Sequence, residues 1–143
     1  MAATIKKLLE GLNIDLAAEY QAVITYRLFA SLASGPYRQE IRDFFEAEIP
    51  DELGHAQFLA DKIVALGGTP TGAPRPVKIS RTNREMFEIA LAAEKDAIGR
   101  YEKRAKQAQE LGLTALKVRL EDLIVDETGH KEEIERRLHT WKE

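Results

Sequence analysis

The sequence of 143 residues contains no cysteine. Disulfide bonds, zinc ribbons and iron–sulfur clusters are therefore excluded as organising devices, because each of them is built from cysteine side chains. Whatever holds this chain together must come from packing, hydrogen bonds and charge.

A surplus of positive charge is also missing. The chain carries 21 Lys and Arg against 24 Asp and Glu, which gives a net charge of −3 and a pI of about 5.7. Neutralising nucleic-acid phosphates requires clustered basic side chains in excess. We therefore expect no nucleic acid among the main partners.

Long apolar runs are absent as well. No stretch approaches the roughly 20 apolar residues that span a bilayer. The segment Met1–Lys7 lacks the apolar run of a signal peptide. We expect a cytoplasmic protein without a membrane partner, folded as one domain over residues 1–143, since this length supports a sizeable core.

What the sequence does contain is a repeated motif. The pattern Asp-Glu-x-Gly-His begins at Asp51 and again at Asp126, an offset of 75 residues (126 − 51). In the first copy, Glu52 and His55 are three residues apart. On an α-helix, three residues turn by about 300° and rise by about 4.5 Å. The two side chains therefore share one face and can hold the same ion.

Each motif has a glutamate upstream at the same distance. Glu19 lies 33 residues before Glu52 (52 − 19), and Glu94 lies 33 residues before Glu127 (127 − 94). The same 75-residue offset relates Tyr26 to Tyr101 and the motif histidine His55 to His130. The sequence thus indicates a helical hairpin that was duplicated once.

Apolar residues at helical spacing predict four long helices. We place them at about Thr4–Ser34, Arg38–Leu66, Thr82 or Asn83 to Leu111–Gly112, and Thr114 to the end of the chain. In the second helix, Glu48 belongs to the inward row, where the repeat has Leu123 (48 + 75). Pro50 predicts a kink or a local bulge in this helix.

The connection between the second and third helices is rich in Gly and Pro and is not helical. Sixteen extended residues (67–82) reach about 53 Å at ~3.3 Å each, and a helix of about 28 residues is about 42 Å long. The connection can therefore run the length of the bundle. The fold class is all-α: a four-helix bundle with a long crossover between helices 2 and 3.

In such a bundle, four carboxylates and two imidazoles meet at mid-height. Burying four unpaired carboxylates costs several kcal/mol each, whereas two divalent cations supply +4 against −4. Oxygen-rich sites with one nitrogen per metal favour iron or manganese. The alternative is that the Glu and His side chains form buried hydrogen-bonded pairs without a metal.

The chain resembles the di-iron carboxylate proteins of the ferritin-like superfamily, and most closely the bacterioferritins. The resemblance covers nearly the whole chain and includes six ligand positions: Glu19, Glu52, His55, Glu94, Glu127 and His130. It implies a ferritin-like domain with two iron ions per chain. By this resemblance Glu19 and Glu94 are terminal ligands, Glu52 and Glu127 bridge, and each histidine caps one ion.

The resemblance also implies roles for neighbouring residues. Tyr26 matches a tyrosine close to the di-iron site and is our candidate catalytic residue, with Tyr101 as its repeat mate; the alternative is a core aromatic whose hydroxyl found a partner. Asp51 and Asp126 are candidate acceptors for the ring N–H of the histidine in the opposite half. The alternative is a solvated helix position.

Two features depart from the bacterioferritin pattern. Leu53 stands where those proteins have a haem-binding methionine, so we expect no haem at that position. A fifth helix is absent from the pattern, which puts a 24-subunit shell in doubt; we expect a homo-oligomer, either a dimer or something larger. His139 lies near the end of the fourth helix. We expect it to act there as a cation that interacts favourably with the helix C-terminus.

The resemblance implies a ferroxidase that oxidises Fe(II) with dioxygen or hydrogen peroxide, for iron homeostasis or detoxification. If a shell forms, Glu48 beside Asp51 is placed to help ferric iron move inward. One alternative is a peroxide-reducing enzyme of rubrerythrin or manganese-catalase type, although no extra glutamate ligand is evident. Others are a DNA-protecting mini-ferritin, disfavoured because this chain has no basic tail, and a metal-free interaction bundle.

Overall fold

The computed structural model describes residues 2–141 and contains four α-helices: α1 (Ile5–Leu32), α2 (Arg38–Ala65), α3 (Asn83–Glu110) and α4 (Thr114–His139). No strand occurs in this part of the chain. The all-α prediction is confirmed, and the first three helices end within two residues of the predicted positions. The chain ends that were included in the predicted range 1–143 lie outside the described residues.

Two threonines begin helices as the sequence indicated. The side chain of Thr4 accepts a hydrogen bond from the backbone N–H of Lys7 at 3.1 Å, and that of Thr82 accepts one from Glu85 at 3.3 Å. Both satisfy amide groups that have no partner within the first turn of a helix. Three glycines at positive φ follow the ends of α1, α2 and α3: Gly35, Gly67 and Gly112.

The crossover lies along α1. The side chain of Asn13 donates to the carbonyl of Thr69 at 3.1 Å and accepts from the N–H of Thr71 at 2.8 Å. Further up the helix, Gln21 Nε2 donates to the carbonyl of Pro76 at 2.6 Å. The segment therefore climbs beside α1 and lets α3 start at the end of the bundle where α1 finishes, as the long crossover required.

Two apolar layers fill the bundle, one at each end. The layer near the start of α1 is mostly aliphatic and includes Leu8, Leu12, Leu16, Leu59, Ile63, Leu116 and Leu120. The layer near the end of α1 is aromatic and includes Phe29, Phe44, Phe45 and Phe87, with the rings of Phe45 and Phe87 at 4.8 Å between centroids. The polar residues of the repeated motifs lie between these layers.

α2 is continuous at Pro50. Residues 38–65 are all α-helical, with no π-helical turn. Of the two distortions predicted at this proline, the local bulge is therefore absent. No helix in the described part of the chain is long and apolar enough to cross a bilayer.

A buried ion-pair cluster joins α1 to α3. Asp15 is fully buried and accepts from Arg104 Nε at 2.9 Å and from Arg100 Nη1 at 2.8 Å. Burial raises the pKa of Asp15 even though both guanidinium groups act to lower it. Gly11 makes room for this cluster, because a Cβ atom at that position would lie 2.3 Å from Arg104 Cζ.

We predict that Gly11→Ala destabilises the protein. Displacing Arg104 from a buried partner costs about 3 kcal/mol, and the better helix propensity of alanine returns about 1 kcal/mol. The free energy of unfolding should fall by about 2 kcal/mol, measured by urea denaturation in the presence of a chelator. Gly99→Ala is the matched control.

Gly99 is exposed in α3, and a Cβ atom there would meet no other atom within 4 Å. Alanine at this position should raise the free energy of unfolding by up to about 1 kcal/mol. Equal effects of the two substitutions would show that Arg104 is not held where the structure places it.

Candidate metal centre

Four glutamates, one from each helix, meet at mid-height of the bundle: Glu19, Glu52, Glu94 and Glu127. None is more than 2% exposed. Each interrupts an apolar row at helical spacing, so the packing that buries the row also carries the carboxylate inward. His55 and His130 join them from α2 and α4, and all six predicted residues are thus brought together.

Together with Glu48, these side chains form two groups that share Glu52. The first contains Glu19, Glu52, His55 and Glu127, and the second contains Glu48, Glu52, Glu94 and His130. Within each group, one ligand-type atom from every residue lies within 4.8 Å of the others. The arrangement offers two adjacent positions for a cation, each with one imidazole nitrogen and several carboxylate oxygens.

Two of the glutamates lie between the two imidazoles. Glu127 Oε1 is 3.2 Å from His55 Nδ1 and 3.6 Å from His130 Nδ1. Glu52 Oε2 is 3.8 Å from His55 Nδ1, and its other oxygen is 3.4 Å from His130 Nδ1. The remaining two each approach one imidazole: Glu19 Oε1 at 3.6 Å from His55 Nδ1, and Glu94 Oε1 at 3.8 Å from His130 Nδ1.

The outer nitrogen of each imidazole is paired with an aspartate from the other half of the repeat. His55 Nε2 lies 3.1 Å from Asp126 Oδ2, and His130 Nε2 lies 3.1 Å from Asp51 Oδ2. The predicted pairing is confirmed. When the ring is neutral, an N–H at Nε2 that donates to aspartate leaves the Nδ1 lone pair facing the cluster.

Two buried tyrosines hold the outer glutamates across the bundle. The hydroxyl of Tyr26 on α1 donates to Glu94 Oε1 on α3 at 2.6 Å. The hydroxyl of Tyr101 on α3 donates in turn to Glu19 Oε1 on α1. Each donor holds one carboxylate oxygen, while the other oxygen, Oε2, is buried without a hydrogen-bond partner.

The centre is short of hydrogen-bond partners. In the described part of the chain, the buried side-chain atoms without a hydrogen bond come from seven residues: Glu19, Glu48, Glu52, His55, Glu94, Glu127 and His130. These are the members of the two groups. Leaving so many buried polar atoms unsatisfied is costly, whereas cations would satisfy them. Oxygen and imidazole donors of this kind suit iron and manganese.

The crowding of charges shifts the pKa values. Burial, together with neighbouring carboxylates, raises the pKa of Glu52 and of Glu127 well above the usual value. Burial also acts to raise the pKa of Glu19, but the adjacent Glu52 carboxyl and His55 imidazole outweigh it and lower this pKa. The carboxyl groups of the bare centre therefore differ in how strongly they hold a proton.

The imidazoles compensate by holding protons. Burial lowers the pKa of His55, but the carboxylates of Glu127 and Glu19 outweigh it and raise the value to about 11. In the same way, Glu94 and other acidic neighbours overcome burial and raise the pKa of His130 to about 9. Without a cation, both rings are therefore protonated at neutral pH, and a binding cation must displace these protons.

Glu48 is the one residue of the centre that sequence reasoning did not assign as a ligand. Glu48 Oε2 lies 3.0 Å from His130 Nδ1, and Glu48 is 9% exposed. The available signal was its place in the inward row of α2, four residues before Glu52. The repeat did not indicate Glu48, because the equivalent position in the second half is Leu123, which offers no ligand atom.

A cleft leads from the surface to the centre. It has a volume of about 510 Å³ between α1, α3 and the crossover, and its lining includes Glu19, Glu52, Glu94 and Glu127. The crossover residues Arg75 and Pro76 line its outer side. Small molecules therefore have space to approach the centre from the face where α1 meets α3.

Comparison with known proteins agrees with this geometry. The family model of the ferritin-like domain matches residues 9–143. A bacterioferritin from Mycobacterium bovis is 31% identical over 128 residues, covering 89% of this chain and 80% of that protein.

Solved structures show the same likeness. A ferritin-like di-iron carboxylate protein from Bacillus anthracis is 54% identical, with a TM-score of 0.93 over 96% of this chain and 99% of that one. The bacterioferritin from Rhodobacter capsulatus, described with a metal-free dinuclear site and a haem iron, is 29% identical, with a TM-score of 0.88 over 97% of this chain and 87% of that one.

The raised pKa values predict how the metal-free protein responds to pH. A group whose pKa is higher in the folded state stabilises the fold below its unfolded pKa and loses this effect as the pH rises through the folded value. The pKa of Glu48 rises from 4.5 to about 7, chiefly through burial. The pKa of His130 rises from 6.5 to about 9, because its acidic neighbours outweigh the effect of burial. We expect a higher Tm at pH 6 than at pH 9 in the presence of a chelator.

The measurement is thermal unfolding followed by circular dichroism. His130→Gln should weaken the dependence between pH 6.5 and 9, whereas His139→Gln, at the end of α4 and outside the centre, should retain it. Saturating Zn²⁺ should shrink or reverse the dependence, because the cation binds the deprotonated ligands. An unchanged Tm across this pH range in chelator would contradict the assignment.

Proposed function

Because the chain belongs to the ferritin-like domain family, we propose that it is a di-iron ferroxidase that oxidises Fe(II) with dioxygen or hydrogen peroxide. The observation that carries the proposal is a set of seven ligand-type residues, each with a buried side-chain atom that lacks a hydrogen-bond partner, arranged as two groups around a shared Glu52. Iron homeostasis or detoxification is the corresponding cellular role. We place it in the cytoplasm, as a homo-oligomer of two or more chains.

The proposed ligand set follows the contacts of the centre. Glu52 and Glu127, which lie between the two imidazoles, would contribute to both iron positions. His55 and Glu19 complete one position, while His130 and Glu94 complete the other. Four carboxylates then balance two divalent cations when both histidines are neutral, and manganese has the same ligand preferences as iron here.

Bound iron would supply the electrons that reduce the oxidant, and the chain's own residues prepare the centre for it. Asp51 and Asp126 hold the imidazoles in one orientation and tautomer. Tyr26 and Tyr101 restrain the outer carboxylates. The aliphatic and aromatic layers exclude water from both ends of the centre, and the cleft beneath the crossover gives a small oxidant access.

The catalytic role of Tyr26 stays a prediction. Its hydrogen bond to Glu94 supports a positioning function for the hydroxyl, and burial together with Glu94 raises its pKa well above the usual value. The phenol therefore remains protonated and able to donate to Glu94. We also propose that no haem binds at Leu53, because a leucine side chain offers no ligand atom.

One observation favours a second candidate function. No extra glutamate of the kind expected in a rubrerythrin-like peroxide-reducing centre is evident in the sequence, yet Glu48 Oε2 lies 3.0 Å from His130 Nδ1. The scaffold alone does not decide between these reactions. A peroxide-reducing or manganese-catalase activity is therefore the alternative.

The principal test combines metal analysis with Fe(II) oxidation. We expect the wild type to bind two iron ions per chain and to develop the near-ultraviolet absorbance of oxygen-ligated Fe(III). Glu94→Ala should lower the oxidation rate by at least about tenfold, since losing even a residue that supports a ligand has effects of this size. Glu102→Ala, an exposed position on the same helix, is the matched control.

The outcomes separate the candidates. An oxidation rate that Glu94→Ala leaves unchanged would refute the ferroxidase. Rapid release of dioxygen from hydrogen peroxide by the manganese-loaded protein would favour the catalase. Protein that holds no metal and is equally stable after chelation would support the interaction bundle.

A second prediction concerns the aspartates. Asp126→Ala should weaken binding of Co²⁺ to the metal-free protein by about 10- to 100-fold, because His55 loses the partner that orients it. Asp122→Ala is the control, since Asp122 is exposed one turn earlier on α4 and pairs with Arg119 at 3.5 Å. Isothermal titration measures both variants, and equal affinities would contradict the role given to Asp126.

A further inference from the structure

The two halves of the centre are not equivalent. The 75-residue offset relates every other member of the centre to a residue of the same type, but it relates Glu48 to Leu123. Glu48 is 9% exposed and Leu123 is 2% exposed, so both side chains point into the bundle. A buried carboxylate in one half therefore corresponds to a buried hydrocarbon in the other.

The extra carboxylate belongs to the side of His130. Glu48 Oε2 is 3.0 Å from His130 Nδ1, closer than the oxygens of Glu52 at 3.4 Å and Glu94 at 3.8 Å. This oxygen has no hydrogen-bond partner, and neither does the Nδ1 atom that it approaches. An unpaired, buried oxygen directed at an unpaired, buried nitrogen is the arrangement that a shared cation resolves.

The opposite side lacks any equivalent. Leu123 packs into the aliphatic layer with Leu16 and Leu59. The group around His55 therefore has Glu19, Glu52 and Glu127 as its carboxylates. Counting the two bridging glutamates at both positions, the His130 position has five candidate protein ligands and the His55 position has four.

We propose that Glu48 is an additional ligand of the cation beside His130, so that the two cation positions bind unequally and the His130 position binds more tightly. The inference rests on the proposed di-iron function. Its physical basis is charge and ligand number: five carboxylates face two divalent cations, and the excess negative charge lies on the His130 side. Hard cations gain affinity from each added carboxylate oxygen.

The test is a titration of the metal-free protein with Co²⁺ alone. We expect the wild type to bind two ions per chain in two steps whose dissociation constants differ by at least about tenfold. Glu48→Leu makes the two halves alike. It should weaken the tighter step by about 10- to 100-fold, the range for loss of a residue that supports a metal site, and should leave two ions bound per chain.

Single-site variants locate the effect. In a His55→Ala background, where the His130 position remains, Glu48→Leu should weaken Co²⁺ binding. In a His130→Ala background it should not. Glu40→Leu is the matched control, because Glu40 is exposed in the first turn of α2. Glu48→Gln, which keeps the shape of the side chain, should show the same loss as Glu48→Leu, and circular dichroism in chelator checks that each variant is folded.

The possible failures are distinguishable. Two bound ions with equal affinities in the wild type, or a Glu48→Leu titration that matches the wild type, would overturn the inference and leave the di-iron function standing. A wild type that binds no Co²⁺ would refute both. An equal loss of affinity in the two single-histidine backgrounds would show that Glu48 acts through the general charge of the bundle, which also overturns the assignment.

Discussion

Mutual repulsion among four buried carboxylates is the constraint on which the rest of the structure depends. Glu19, Glu52, Glu94 and Glu127 share one buried layer, and the ion-pair contacts described for them are with His55 and His130 and not with Lys or Arg. The layer therefore needs protons or metal cations. In the metal-free chain the two imidazoles carry protons, and Tyr26 and Tyr101 each donate a hydrogen bond to one of the carboxylates.

The topology delivers this layer by symmetry. Two similar hairpins lie antiparallel, so that residues 75 positions apart come to face each other across the centre. Each half then supplies two contacts to the other half. A tyrosine donates to the opposite outer glutamate, and an aspartate pairs with the opposite histidine. The crossover makes this arrangement possible, because it returns the chain to the end of the bundle where the second hairpin must begin.

The sequence was sufficient for the helices, the crossover and the six residues at the centre, since periodicity and the repeat are local signals. The pairing of Asp51 and Asp126 with the opposite histidines also followed from the repeat. Asp15, Arg100 and Arg104 were missed, because their contact depends on how α1 and α3 face each other over about 90 positions, a distance no local pattern encodes.

The buried pair of Asp15 and Arg104 has a consequence for how the hairpins recognise each other. Two nearly matching hairpins within one chain invite like-with-like association, in which two copies of the same hairpin pack together. The repeat partner of Arg104 is Phe29 (104 − 75), so two first hairpins packed together would leave Asp15 facing an aromatic ring. An unpaired buried carboxylate is penalised by several kcal/mol, and this penalty selects the heterotypic partner over the homotypic one. The ion-pair cluster of Asp15 thus disfavours self-pairing of the first hairpin.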